Sequence, residues 1–158
     1  MSETARKQLN YTIACIHEFA RLKQITKQAA FEYLDQHKGI AFLSDHYEIE
    51  HTLSMQDAMN DLEMICRNNG GSSAEESGSY DTMSKAEMLM EFIIQDIVAW
   101  LMDEEHISME EALRRFYTSE VFSKLVDPDT GLYLDAPLSV YKLFQDEQVN
   151  GRMIQNEI

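Results

Sequence analysis

The sequence predicts an all-α protein, a tandem repeat of two small helical bundles packed together. Three observations predict this. Apolar residues recur at three- and four-residue spacing along most of the chain, with no clean alternating run. Hydroxyl residues stand where several of these stripes begin, and at Ser84 and Ser108 a Glu follows three positions on, the capping-box spacing. The chain also resembles itself at an offset of 82 residues, without gaps from Cys15 to Asp45. Cys15 then meets Ile97, Phe19 meets Leu101, Ala30 meets Ala112, Leu34 meets Phe116, Ile40 meets Phe122 and Leu43 meets Leu125. A unit of about 60 residues buries too little of its surface to be more than marginal alone. Two such units gain by packing their apolar faces together.

The first helix runs from Thr4 to about Lys23 on Leu9, Ile13, Ile16, Phe19 and Ala20. Thr26 caps a second, with Ala30, Phe31 and Leu34 inside, and Gly39 ends it. Ile40 to His46 supplies one or two helical turns, and Tyr47 to Leu53 reads as a connection. Ser54 caps a helix to about Arg67 with Met55, Ala58, Met59, Leu62 and Ile65 as its stripe. Asn68-Asn69-Gly70-Gly71 stops it. The domain boundaries expected are therefore 1–67 for the first repeat, 68–82 for a flexible Gly/Ser-rich linker, 83–149 for the second repeat and 150–158 for a loose tail.

The stretch Lys85–Glu105 organises the second half. Leu89, Met90, Ile93, Ile94, Ile97, Val98, Trp100 and Leu101 cover about half a helix circumference, enough to face several neighbours. Glu91, Gln95, Asp96, Ala99 and Asp103 take the other half, and Trp100 is expected in the core where the halves meet. Ser108 opens the next helix on Ala112, Leu113, Phe116 and Tyr117, and Val121 to Val126 is a short apolar piece. Asp127-Pro128-Asp129-Thr130-Gly131 is a turn. Pro137 fits the first turn of a last helix, with Asp135 as cap and Val140, Tyr141, Leu143 and Phe144 apolar.

The net charge of −15 is uneven: residues 1–67 carry −3 and residues 68–158 carry −12. Such a field repels phosphate, so no nucleic-acid partner is expected, and the densest basic pair is only Arg114-Arg115. It favours a basic protein partner and speeds encounter with it. No apolar run approaches 18 residues, and Met1 to Lys7 has no signal-peptide core, so a cytoplasmic protein without a membrane partner is expected. Cys15 and Cys66 are too few for a disulfide framework.

Catalytic constellations are incomplete. His46, Glu48 and His51 offer metal-ligand chemistry, but zinc needs three or four ligands fixed in a tetrahedron, and a connection does not fix them. Asp127-x-Asp129-x-Gly131 lacks the acidic twelfth residue of a calcium loop, which would be Leu138. Asn69-Gly70-Gly71-Ser72 has no Lys for phosphate. The reading is therefore no enzyme, no catalytic residue, no metal and no cofactor. The alternatives are a hydrolase or nuclease using His46 and His51, or a DNA-binding regulator built on short capped helices.

Ile25-Thr26, Ala30-Phe31, Leu34, Phe42-Leu43, His46-Tyr47 and His51-Thr52 carry a resemblance over about Ala14 to Leu62. The first half resembles the bacterial domain of unknown function family 3791. The second half is similar only in pattern and lacks both histidines at the corresponding loop, Asp127 to Asp135. The resemblance implies a small helical domain with no assigned reaction. It also implies a setting beside ADP-ribosyltransferase-like proteins, and so an antitoxin-like or accessory role. The function expected is a non-catalytic protein-interaction module. Its partner would be an ADP-ribosyltransferase-like protein, with self-association into a homodimer as the competitor. Contacts are expected from the two equivalent loops: Tyr47 and His51 in the first, Asp129 and Tyr133 in the second. Tyrosine buries much area at small entropic cost.

Overall fold

The computed structural model describes residues 1–72 and 83–151. Among the described residues it is all-α, with no strand. The chain divides into two compact units, Met1–Asp81 and Thr82–Ile158. The linker expected over 68–82 falls outside the described residues from 73 onward, and the expected tail does so from 152.

The N-terminal unit contains α1 (Glu3–Lys23), α2 (Lys27–Gln36), α3 (Gly39–Asp45), α4 (Tyr47–Glu50) and α5 (Met55–Asn68). Helix α1 begins where Ser2 Oγ accepts from Ala5 N–H, and it ends at Gln24, which takes the left-handed conformation at φ 54°. It packs on α2, α3 and α5, burying Leu9, Ile13 and Ile16 against Phe31, Leu34, Ile40, Leu43, Ala58 and Leu62. Thr26 and Ser54 cap α2 and α5 as their positions predicted. Gly39 is needed at the α2–α3 corner: a Cβ there would stand 2.9 Å from Leu34 Cδ2 and 3.2 Å from Cys66 Sγ. The expected connection from Tyr47 to Leu53 is instead one α-helical turn, α4, followed by turns in which Thr52 and Leu53 N–H donate to Ile49 and Glu50 carbonyls. Four residues give too short a stripe for periodicity to register.

The C-terminal unit contains α6 (Lys85–Glu105), α7 (Met109–Tyr117), α8 (Glu120–Leu125) and α9 (Pro137–Asn150), with two 3₁₀ turns, Pro128–Thr130 and Leu132–Leu134, between the last two. The expected Asp127–Gly131 turn is the first of these. Asp127 Oδ1 accepts from Asp129 N–H, and Gly131 supplies the positive φ of 68° that joins the two. Pro137 opens α9 as expected, but the N-cap is Ala136, without a side-chain bond, rather than Asp135. Glu147 of α9 caps α8 from outside, its carboxylate accepting from the N–H groups of Glu120 and Val121 at 2.9 Å each. The core is aromatic: Phe116 meets Phe122 and Phe144 edge-on at 5.6 and 5.2 Å, and Tyr117 is fully buried beside Phe122. Two expectations for α6 change. Ala99 is buried, widening the apolar arc, and Trp100 is only partly buried, tilted against Tyr141 with ring centroids 5.5 Å apart.

The bounds of two helix pairs coincide at the 82-residue step. Helix α1 moved by 82 gives the span of α6, and α5 moved by 82 gives the span of α9. The left-handed caps Gln24 and His106, at φ 54° in both, differ by the same number.

Candidate functional site

Helix α4 is held by α1. One turn apart on that helix, Gln8 and Tyr11 reach the segment on either side of Asp45. Gln8 Nε2 donates to the Ser44 carbonyl at 3.0 Å, and Tyr11 Oη donates to the Glu50 carbonyl at 3.0 Å. The Tyr11 ring meets the Tyr47 ring edge-on, centroids 5.7 Å apart. Tyr47 in turn stacks on His51 at 4.3 Å and 15°, and the His51 Nδ1 lies 2.6 Å from the Tyr47 carbonyl oxygen. Phe42 and His46 pair likewise at 5.0 Å. Outside this aromatic brace the corner is open, with Ile49 64 % and Leu53 37 % exposed.

Beneath the brace is a carboxyl pair. Glu50 is buried, hydrogen-bonded to Asp61 of α5, and its Oε2 has no partner. Burial first, then the bond to Asp61 and the negative charge of Asp61, push the Glu50 carboxyl up to about 7. A neutral carboxyl can donate to Asp61; an ionised one there would be a poorly solvated charge beside another acid. The Tyr11 hydroxyl is pushed well above the usual phenol range by burial and by Cys15, and the buried Cys15 thiol is pushed up to about 12, chiefly by desolvation.

At the 82-residue step this polar set becomes apolar. Gln8, Tyr11, Cys15, Glu50 and Asp61 correspond to Met90, Ile93, Ile97, Leu132 and Leu143. The C-terminal unit thus carries apolar residues at all five of these offset positions. Sequence reasoning missed Glu50 and Asp61 because the comparison of halves stopped at Asp45. Carried sixteen residues further, the offset sets both carboxyls opposite leucines in the sequence.

Tyr47 and His51, both expected at a partner site, are brought into direct stacking. Asp129 is exposed in the first 3₁₀ turn and Tyr133 half-buried in the second, at the positions corresponding to Tyr47 and His51. His46 and His51 face different rings, Phe42 and Tyr47. Among the described residues no group of three or more His, Cys, Asp or Glu is placed to hold a metal ion, and no helix is long and apolar enough to cross a membrane.

The N-terminal unit has a second concavity, a pocket of about 170 Å³ between α1, α2 and α5. Phe19 and Tyr33 stack at 5.7 Å on one wall, and the Lys23–Glu63 ion pair, 2.8 Å long, closes another. Lys23, the cation among its described lining residues, is thus already matched by a carboxylate.

No curated protein and no solved structure matches the chain. Residues 10–69 match the model of a protein family of unknown function, DUF3791. That match spans α2 to α5 and most of α1, including Tyr11, Tyr47, Glu50, His51 and Asp61, and identifies this part of the chain as the one similar to the family.

Proposed function

We propose that the protein is a non-catalytic interaction module that docks a basic segment of a partner protein on the α4 corner. One observation carries this reading. Between Gly39 and Cys66 the chain has no Lys or Arg, Asp45, Glu48 and Asp57 are exposed, and the open part of that stretch presents Ile49, Leu53 and the Tyr47–His51 stack. Acidic groups around an aromatic face suit an arginine or lysine, which gains from both the carboxylates and the ring quadrupole. The apolar Ile49 and Leu53 add area that is worth burying. Asp129 and Tyr133 offer a smaller surface of the same acidic and aromatic kind in the C-terminal unit. An ADP-ribosyltransferase-like protein is the partner that the family resemblance favours, and the role is antitoxin-like or accessory.

The test is calorimetric titration of the purified protein with a candidate ADP-ribosyltransferase-like partner and with an arginine-rich peptide. Saturable binding that weakens with salt, and weakens at least tenfold in Tyr47→Ala, is expected. Binding unchanged by Tyr47→Ala, or none at low salt, removes the α4 corner as the interface.

A further inference from the structure

We propose that the Glu50–Asp61 carboxyl pair is a proton-operated lock on α4: with one proton held between them α4 is fixed against α1 and α5, and without it α4 and the Tyr47–His51 corner loosen. Its consequence for docking rests on the corner being the interface, whereas the lock itself does not. Three observations support it. Glu50 is 5 % exposed, and its Oε2 is buried without a partner, so ionising it places a charge where nothing solvates it. The same residue carries the α1 attachment, since Tyr11 Oη bonds the Glu50 carbonyl. A displacement of Glu50 toward water therefore strains the Tyr11 bond that ties α1 to α4, and α4 is only one turn long. Finally, the fold does not require acids here, because the corresponding positions of the C-terminal unit are Leu132 and Leu143.

The titratable groups around Glu50 are Tyr11 and Cys15 from α1, Asp61 from α5 and, along its own stretch, Asp45 at the end of α3, His46, Tyr47, Glu48 and His51. Those that shift it, apart from burial, come down to Asp61, and its effect favours the neutral form. The folded carboxyl holds its proton to about 7 against an ordinary value of 4.5. A group raised in this way stabilises the closed form at low pH, and that stabilisation is lost as pH rises toward the folded value. Local opening of α4 should therefore grow up to about tenfold per pH unit between roughly 5 and 7 and level off above.

Hydrogen exchange of residues 47–53 in the full chain, corrected for intrinsic rates, reads this directly. The wild type should lose protection from pH 5 to 7 by at least tenfold, while an amide in the core of α7 keeps its own. Imidazoles as a class titrate in the same range, and His46 and His51 flank the site, so Glu50→Gln decides. It keeps the hydrogen bond to Asp61 without the ionisation and should flatten the profile, as should the leucine pair Glu50→Leu with Asp61→Leu. A flat wild-type profile, or a Glu50→Gln profile as steep as the wild type, overturns the lock. Docking is scored apart, by the arginine-rich peptide. An α4 that opens on schedule but binds nothing supports the lock and removes the docking reading, whereas binding with flat exchange removes the lock alone.

Discussion

Trp100 shows how an amphipathic face can be read correctly and its largest residue misjudged. Seven of its α6 companions, including Ile93, Ile97 and Leu101, are buried, but the indole lies at the margin of the arc and leans on Tyr141. Tyr141 has its own anchor, a 2.6 Å bond from its hydroxyl to Glu104 Oε2, so the two rings form a rim rather than a centre. Leu113 of α7 is fully buried. A truncation there removes transfer energy and leaves a cavity, so Leu113→Ala should cost about 2–5 kcal/mol. Trp100→Ala, from a site that water already reaches, should cost less than Leu113→Ala, about 1–2 kcal/mol. Chemical denaturation of both variants checks the order; equal losses would mean that the indole is held as tightly as the core.

At the scale of the elements, most boundaries come from hydroxyl caps. Thr26, Ser54, Ser84 and Ser108 each accept from the third backbone N–H on, as their spacing from the apolar stripes predicted. Two further caps, Ser2 and Ser119, do the same without having been foreseen. Ser119 is hidden in a sequence where α7 and α8 run almost together. It is also the most demanding of the set, since its buried hydroxyl accepts from Phe122 N–H at 3.1 Å and donates to the Phe116 carbonyl at 2.6 Å. Replacing an exposed cap costs roughly 1 kcal/mol, so Ser108→Ala should lower stability by that amount. Ser119→Ala should cost about 2 kcal/mol, because it also leaves the buried Phe122 N–H without its acceptor. Thermal or urea unfolding of the pair tests this, and a smaller loss for Ser119→Ala would mean that water replaces the hydroxyl. The long helices were legible because three or more turns of stripe and a cap agree. Helix α4 was not, because one turn has no period and its placement is decided by Gln8 and Tyr11, far away in sequence. The candidate site was legible in part for the same reason. Tyr47 and His51 stand out as residue types, while the importance of Glu50 depends on a burial that only the packing of α4 on α1 and α5 creates.

On the scale of the whole chain, the 82-residue step joins two facts that local reading keeps apart. The spans of α1 and α5 reappear at that step as α6 and α9, yet the excess of acid does not: residues 68–158 carry −12 against −3 for residues 1–67. So large a net charge works against the compact state, since like charges repel more strongly the closer they are held. A few ion pairs oppose this. Lys23–Glu63, with side chains only 8 % and 19 % exposed, is shielded from salt by its burial, whereas the repulsion acts mainly between exposed groups. Added salt should therefore weaken the unfavourable interactions more than the favourable ones. Raising sodium chloride from about 0.05 to 0.5 M shortens the Debye length from well over 10 Å to a few ångströms. Stability should rise by about 1 kcal/mol, a shift of roughly 2–4 °C in melting temperature for a chain of this size. Melting the protein by circular dichroism across that series tests the balance. A melting temperature that falls with salt would show that the ion pairs outweigh the repulsion and that the acidic excess is already neutralised within the fold.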